Sequence, residues 1–179
     1  HQGAFNDSRL ELRHTDATQF LKETDSRFDV AIIDVPDPLE GGPAVMLFTQ
    51  EFYELVQSRL KPNGIVVAQA GPTGPAFYEQ CFSAVANTIR SVLPYVYLSE
   101  AFIPSFGSTW GFVTGCLTPN DLSLEPEEVD KRIESRLSCS LRFYDGLTHR
   151  GMFSVPKYLR KAGAADQRII TKTNPLFVV

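Results

Sequence analysis

Phe28-Asp29-Val30-Ala31-Ile32-Ile33-Asp34 is a β-branched, aliphatic run closed by an acid. Such a run predicts a parallel strand buried on both faces, since a half-solvated antiparallel strand would alternate apolar and polar residues. Upstream, Leu10-Glu11-Leu12-Arg13-His14 does alternate, and Asp16 precedes Thr18 to Glu23 as an N-cap would. A short strand leading through a capped turn into a helix is expected there. Downstream, the stretch from Asp34 to Pro43 holds three prolines and two glycines, too broken for a regular element. Phe52, Leu55, Val56 and Leu60 recur at helical spacing within Thr49 to Leu60, and Lys61-Pro62-Asn63-Gly64 predicts a turn that stops the helix. Gly64 to Ala70 reads as a second buried strand. Pro75 to Leu93 reads as a helix through Phe77, Cys81, Val85, Ile89 and Leu93, and Tyr95 to Ile103 and Thr109 to Leu117 as two further strands.

This succession is α/β, and βαβ crossovers impose a mostly parallel sheet with helices on both faces. The short connection Pro104-Ser105-Phe106-Gly107-Ser108 makes the final pair antiparallel and predicts an antiparallel edge strand, as in the methyltransferase-like variant of the Rossmann fold. No GxGxxG turn, GxxxxGK, HExxH or GxSxG is present; Gly107-Ser108-Thr109-Trp110-Gly111 only imitates the last, with threonine at the nucleophile place. The chain opens at His1 without a methionine, so a fragment whose first strands are missing is expected. Residues 1–150 are expected to form the C-terminal part of a catalytic domain, with 151–179 as a C-terminal extension in which Ser154 to Val179 reads as a helix followed by an extended tail. Glu125 to Leu137 predicts an acidic-then-basic helix whose charges suit its dipole.

With 179 residues, 43% of them hydrophobic, the chain fits one globular domain. Its 17 basic and 21 acidic side chains leave a net −4, which disfavours nucleic acid and favours a cationic small molecule. No apolar run approaches the roughly 20 residues of a membrane span, and neither an n-region nor an h-region opens the chain. A soluble, cytoplasmic protein is expected. Cys81, Cys116 and Cys139 are odd in number and widely spaced, against a disulfide framework or zinc knuckle. His1, His14 and His149 have no metal-ligand spacing and read as surface or structural residues, and Asn6-Asp7-Ser8 matches a glycosylation sequon by chance.

Ligands of open α/β sheets bind beyond the carboxyl ends of the strands. Asp16, the pair Asp34 and Asp37, Gln69, and the Pro104 to Trp110 loop occupy those ends and would share one rim. Each also has a structural reading: Asp16 as an N-cap, Asp34 as a strand-end acid, Asp37 in an Asx turn, Gln69 as a strand-end amide, Phe106 and Trp110 as packing. Tyr53, at helical spacing, reads as core.

Asp34-x-x-Asp37-Pro38, Gly42-Pro43-Ala44, Leu47-Phe48-Thr49, Glu51-Phe52-Tyr53, Leu60-Lys61-Pro62-Asn63-Gly64, Gln69, Ile103-Pro104-Ser105-Phe106 and Trp110-Gly111-Phe112 resemble the polyamine aminopropyltransferases, the spermidine synthase family. Glu40-Gly41-Gly42-Pro43, Gln69-Ala70-Gly71-Pro72, Asn87-Thr88-x-Arg90 and Arg142-Phe143-Tyr144-Asp145-Gly146 look most like its thermospermine synthases. The resemblance covers residues 1–150 and fades over 151–179. It implies transfer of an aminopropyl group from decarboxylated S-adenosylmethionine, a co-substrate rather than a cofactor, to spermidine or putrescine, in an enzyme that is a homo-oligomer when complete. By the same resemblance Asp34 is the proton acceptor, and Asp37, Gln69, Phe106 and Trp110 meet the amine. Asp16 with Ala17 would read the adenine, Pro43, Ala44 and Leu47 would wall it, and no metal is implied. Phe106 stands where spermidine synthases carry a tyrosine, a departure that bears on the amine used. A class I S-adenosylmethionine-dependent methyltransferase and a noncatalytic relic domain are the alternatives.

Overall fold

The computed structural model describes residues 3–120 and 122–178, so His1 lies outside the described residues. In chain order the elements are α1 (Ala17–Glu23), β1 (Phe28–Ile33), α2 (Gln50–Ser58), β2 (Leu60–Pro72), α3 (Phe82–Val92), β3 (Tyr95–Ile103), β4 (Ser108–Cys116), α4 (Pro126–Arg136), α5 (Gly146–Phe153) and α6 (Lys157–Ala165). The strands form one mixed sheet in the order β1-β2-β4-β3. β1 and β2 are parallel, and β4 is antiparallel to both β2 and β3. Three strands therefore share a direction, as expected. The reversed strand is a correction: β4 lies inside the sheet, between β2 and β3, and the edge belongs to β3.

β4 can take the inner place because helix α3 lies directly on its glycines. A Cβ on Gly115 would stand 2.5 Å from Leu93 Cδ1 and 2.9 Å from Ile89 Cγ2, and one on Gly111 would overlap the Phe82 ring. Val66, Ala68, Ala70 and Val113 face the same helix and are fully buried with Phe82, Val85 and Ile89. On the opposite face β1 is open: Val30 is 52% and Ile32 72% exposed. The expectation of helices covering both faces fails there.

Three local readings change. Leu10–His14 forms no strand, and Leu10 and Leu12 are exposed; its alternation describes a half-buried strand, but the segment is paired with neither edge strand of the sheet. Lys61 to Gly64 lies within β2 as an irregularity, with Phe28 opposite Leu60 but Val30 opposite Ile65. The helix stop is real nonetheless, since α2 ends at Ser58. Helix α3 begins at Phe82 rather than Pro75, because Cys81 departs from helical backbone at φ −130 and residues 75–81 are turns.

Residues 151–178 join the same core. Leu159 and Ile170 are buried, the Ile170 N–H donates to Thr88 Oγ1 at 2.9 Å, and its carbonyl accepts from Gln50 N. His149 is buried too. Its Nε2 lies 2.8 Å from the Leu122 carbonyl, which can only accept, so Nδ1 is left to accept from Tyr144 Oη–H at 2.6 Å. Asp145 caps α5 by accepting from Thr148 N at 2.7 Å. His149 is thus structural, and Tyr144 and Asp145 acquire structural roles that the sequence did not suggest.

Tyr53 is core, and its hydroxyl is buried without a hydrogen-bond partner. Tyr53→Phe is expected to leave stability unchanged or raise it by up to about 1 kcal/mol, since it removes an unsatisfied polar group. Gly115→Ala is expected to destabilise by about 1–3 kcal/mol through overpacking against α3. Denaturant unfolding checks both, and a Gly115→Ala chain as stable as wild type would refute the close α3 contact.

Candidate functional site

The loop leaving β1 at Asp34 and the aromatic side of β4 enclose a cleft of about 620 Å³, lined by Asp34, Val35, Pro36, Asp37, Gln69, Ile103, Phe106, Trp110 and Phe112. Register explains the convergence. Ile33 pairs with Ala68, so the loop after β1 starts beside Gln69. Gln69 stands opposite Phe112, and Pro72 opposite Trp110. The β3–β4 hairpin returns through Gly107 at φ 64, a left-handed turn that suits glycine, and sets Phe106 against Trp110 with ring centroids 4.6 Å apart.

Five residues singled out in the sequence, Asp34, Asp37, Gln69, Phe106 and Trp110, line this one cleft. Asp34 is exposed, Asp37 half-buried and Gln69 buried. Gln69 Nε2 donates to the Val35 carbonyl at 2.8 Å and to Asp37 Oδ1 at 3.3 Å, and its Oε1 accepts from Trp110 Nε1 and Gly71 N, both at 2.9 Å. Val35, Pro36, Ile103 and Phe112 also line the cleft. For Phe112 the signal was available, since strand alternation from Trp110 places it on the same face.

The other five residues are placed elsewhere. Asp16 caps α1, its Oδ1 accepting from Gln19 N at 2.8 Å, with exposed Ala17 beside it. Pro43 is exposed, Ala44 belongs to the core, and Leu47 packs half-buried against it. None of these lines the cleft.

Two carboxylates, three aromatic rings and no Lys or Arg line the cleft, which makes it anionic and amphipathic. An elongated cation with an apolar stem matches that chemistry, its charged groups at the acids and its methylenes along the rings. Among the described residues no group of three or more His, Cys, Asp or Glu could hold a metal ion, and no helix is long and apolar enough to cross a membrane. Behind the cleft, burial pushes the Cys81 thiol up to about 12, and the negative charge of Asp37 adds to the shift.

The profile described as spermine/spermidine synthase domain matches residues 1–125. The chain is 42% identical over 178 residues to a polyamine aminopropyltransferase of Sulfurisphaera tokodaii, which spans 99% of this chain and 58% of that protein. It is 39% identical over 178 residues to a polyamine aminopropyltransferase of a Synechococcus strain, 98% of this chain and 57% of that one. These alignments take in most of 151–179, beyond the region where the motifs were legible. Among solved structures, a spermidine synthase in complex with the transition-state analogue AdoDATO superposes with a TM-score of 0.76 at 23% identity, over 91% of this chain and 54% of that one. Human methyltransferase-like protein 13 in complex with SAH gives a TM-score of 0.52 at 19% identity, over 80% of this chain and 67% of that one. The fold is therefore the α/β, methyltransferase-like Rossmann type shared by both groups. Within that class, the chain belongs to the spermine/spermidine synthase family, and it spans a little under three-fifths of the curated relatives it matches.

Cys139 is exposed, whereas Cys81 is buried with a raised pKa. Iodoacetamide at pH 8 is expected to modify Cys139 in the native chain and spare Cys81. Peptide mass mapping reads the outcome, and rapid labelling of Cys81 would contradict its closed position behind the cleft.

Proposed function

We propose that this chain carries the amine-binding side of a polyamine aminopropyltransferase, which moves the aminopropyl group of decarboxylated S-adenosylmethionine to spermidine and yields thermospermine. The observation that carries this reading is the cleft itself, in which Asp34 and Asp37 face an aromatic wall with no competing basic side chain. An amine with a pKa near 10.4 must shed a proton before it attacks carbon, and about three units of pKa cost roughly 4 kcal/mol at neutral pH. Asp34, exposed at the strand end, accepts that proton. Asp37, held by Gln69, anchors the amine chain. The amine nitrogen forms a bond to the propyl carbon, the carbon–sulfur bond breaks with its electron pair going to the sulfonium sulfur, and methylthioadenosine leaves. Alignment of nitrogen, carbon and sulfur supplies much of the rate. The adenosyl group would be met by Asp16, Ala17, Pro43, Ala44 and Leu47 together with parts of the enzyme outside the matched length.

Because the matched relatives are longer, the tests use a full-length protein carrying this chain. Asp34→Asn is expected to lower turnover by at least about 100-fold, as for loss of a general base, with adenosyl-ligand affinity nearly unchanged. Turnover within a few-fold of wild type would remove Asp34 from the role. With Phe106 in place of a tyrosine hydroxyl and Glu40 beside an enlarged turn, spermidine is expected to exceed putrescine in kcat/KM by about 10 to 100-fold. Rates with both amines and chromatography of the products check this. Equal use of putrescine would return the enzyme to the general spermidine synthases, and a preference for S-adenosylmethionine over its decarboxylated form in thermal shift would favour a methyltransferase.

A further inference from the structure

A primary carboxamide offers two donor hydrogens and two acceptor lone pairs. In Gln69 all four are used: Oε1 receives the Trp110 indole N–H and the Gly71 backbone N–H, and Nε2 donates to the Val35 carbonyl and to Asp37 Oδ1. The orientation of the amide is also determined. Indole and backbone N–H groups cannot accept and a backbone carbonyl cannot donate, so a flipped Gln69 would lose its bonds to Trp110, Gly71 and Val35. The side chain is 6% exposed, which leaves no outlet for a further partner. The Trp110 ring is in turn braced by Phe106 at a centroid distance of 4.6 Å.

We propose that Gln69 is a positioning residue for Asp37, oriented by the Trp110 indole N–H, and that it makes no direct hydrogen bond to the amine. The inference rests on the reading of the cleft as a polyamine site and changes the part that Gln69 plays in it. Asp37 becomes the amine's anchor. Trp110 then acts on amine binding along two routes, through its ring face and through its N–H.

The test uses the full-length protein that carries this chain, labelled with ¹⁵N. Trp110 is the one tryptophan in these 179 residues, and the indole N–H resonance that disappears in Trp110→Phe is its own. Trp110→Phe keeps an aromatic ring against Phe106 while removing the indole N–H donor and part of the ring surface. The Gln69 side-chain NH₂ resonances are expected to shift in Trp110→Phe and again in Asp37→Asn, while backbone resonances away from the cleft stay in place as proof of folding. Unmoved Gln69 resonances in Trp110→Phe would overturn the proposal. Calorimetry with spermidine then separates positioning from contact. Trp110→Phe and Gln69→Ala are each expected to weaken binding by about 3 to 10-fold, the size of one net hydrogen bond. In an Asp37→Asn background Gln69→Ala should cost less than about twofold further, while Trp110→Phe keeps only the part of its penalty that comes from the ring face. A Gln69→Ala penalty that persists undiminished without the Asp37 carboxylate would make Gln69 a direct ligand and refute the proposal. A wild-type full-length protein that shows the coupled resonances yet takes up no spermidine would instead sink the polyamine reading of the cleft, with the Trp110–Gln69–Asp37 linkage upheld by the resonances.

Discussion

The antiparallel ladder between β2 and β4 is the contact on which the cleft depends. It sets Gln69 opposite Phe112 and brings Trp110 beside Pro72, so the amide on one strand and the indole on the other meet across the join. Strand side chains alternate with a period of two, and a slip of one residue would exchange the faces of β4. Trp110 and Phe112 would then be driven into α3, where even a Cβ on Gly111 overlaps Phe82. The small residues behind the sheet and the aromatic residues in front of it are two consequences of one register. Steric pressure from α3 therefore protects the geometry of a site on the opposite face.

Much of this was legible in the sequence. The extents of β3 and β4 follow from their β-branched and aromatic content, and α2 from its apolar spacing. Five of the nine residues that line the cleft were nameable from strand-end position and motif, because a loop leaving a parallel strand has little choice but to lie on that rim. The inner position of β4 was not legible. A short hairpin requires β3 and β4 to be neighbours, and is silent on which of them meets β2. That choice belongs to Gly111 and Gly115, whose closeness to α3 is a tertiary fact. The strand expected at Leu10–His14 failed for a related reason: alternation states which face would be buried, and does not state whether the segment is laid against an edge that shares its hydrogen bonds. The saturation of Gln69 was equally hidden, since its four partners come from Val35, Asp37, Gly71 and Trp110, on three separate stretches of chain.

The two acids differ because of what stands next to them. Asp37 is half-buried and accepts from an amide that is itself locked. Asp34 sits one residue beyond the end of β1, exposed to solvent. A group that must exchange a proton gains from access and freedom, and one that must hold a charge in place gains from a fixed donor. Burial and bonding thus set the two acids apart, and the roles proposed for them are argued from that difference.

The open face of β1 bears on the same site. Val30 and Ile32 have the composition of a buried parallel strand and yet face solvent, and covering each would contribute about 1.5–3 kcal/mol. A parallel strand laid along the free edge of β1 would run toward the same end of the sheet, with its carboxyl end beside Asp34. Loops at that end are where ligands of open α/β sheets are held. The exposed apolar face of β1 thus ends at Asp34, so the least covered part of the sheet adjoins the carboxylate at the rim of the cleft.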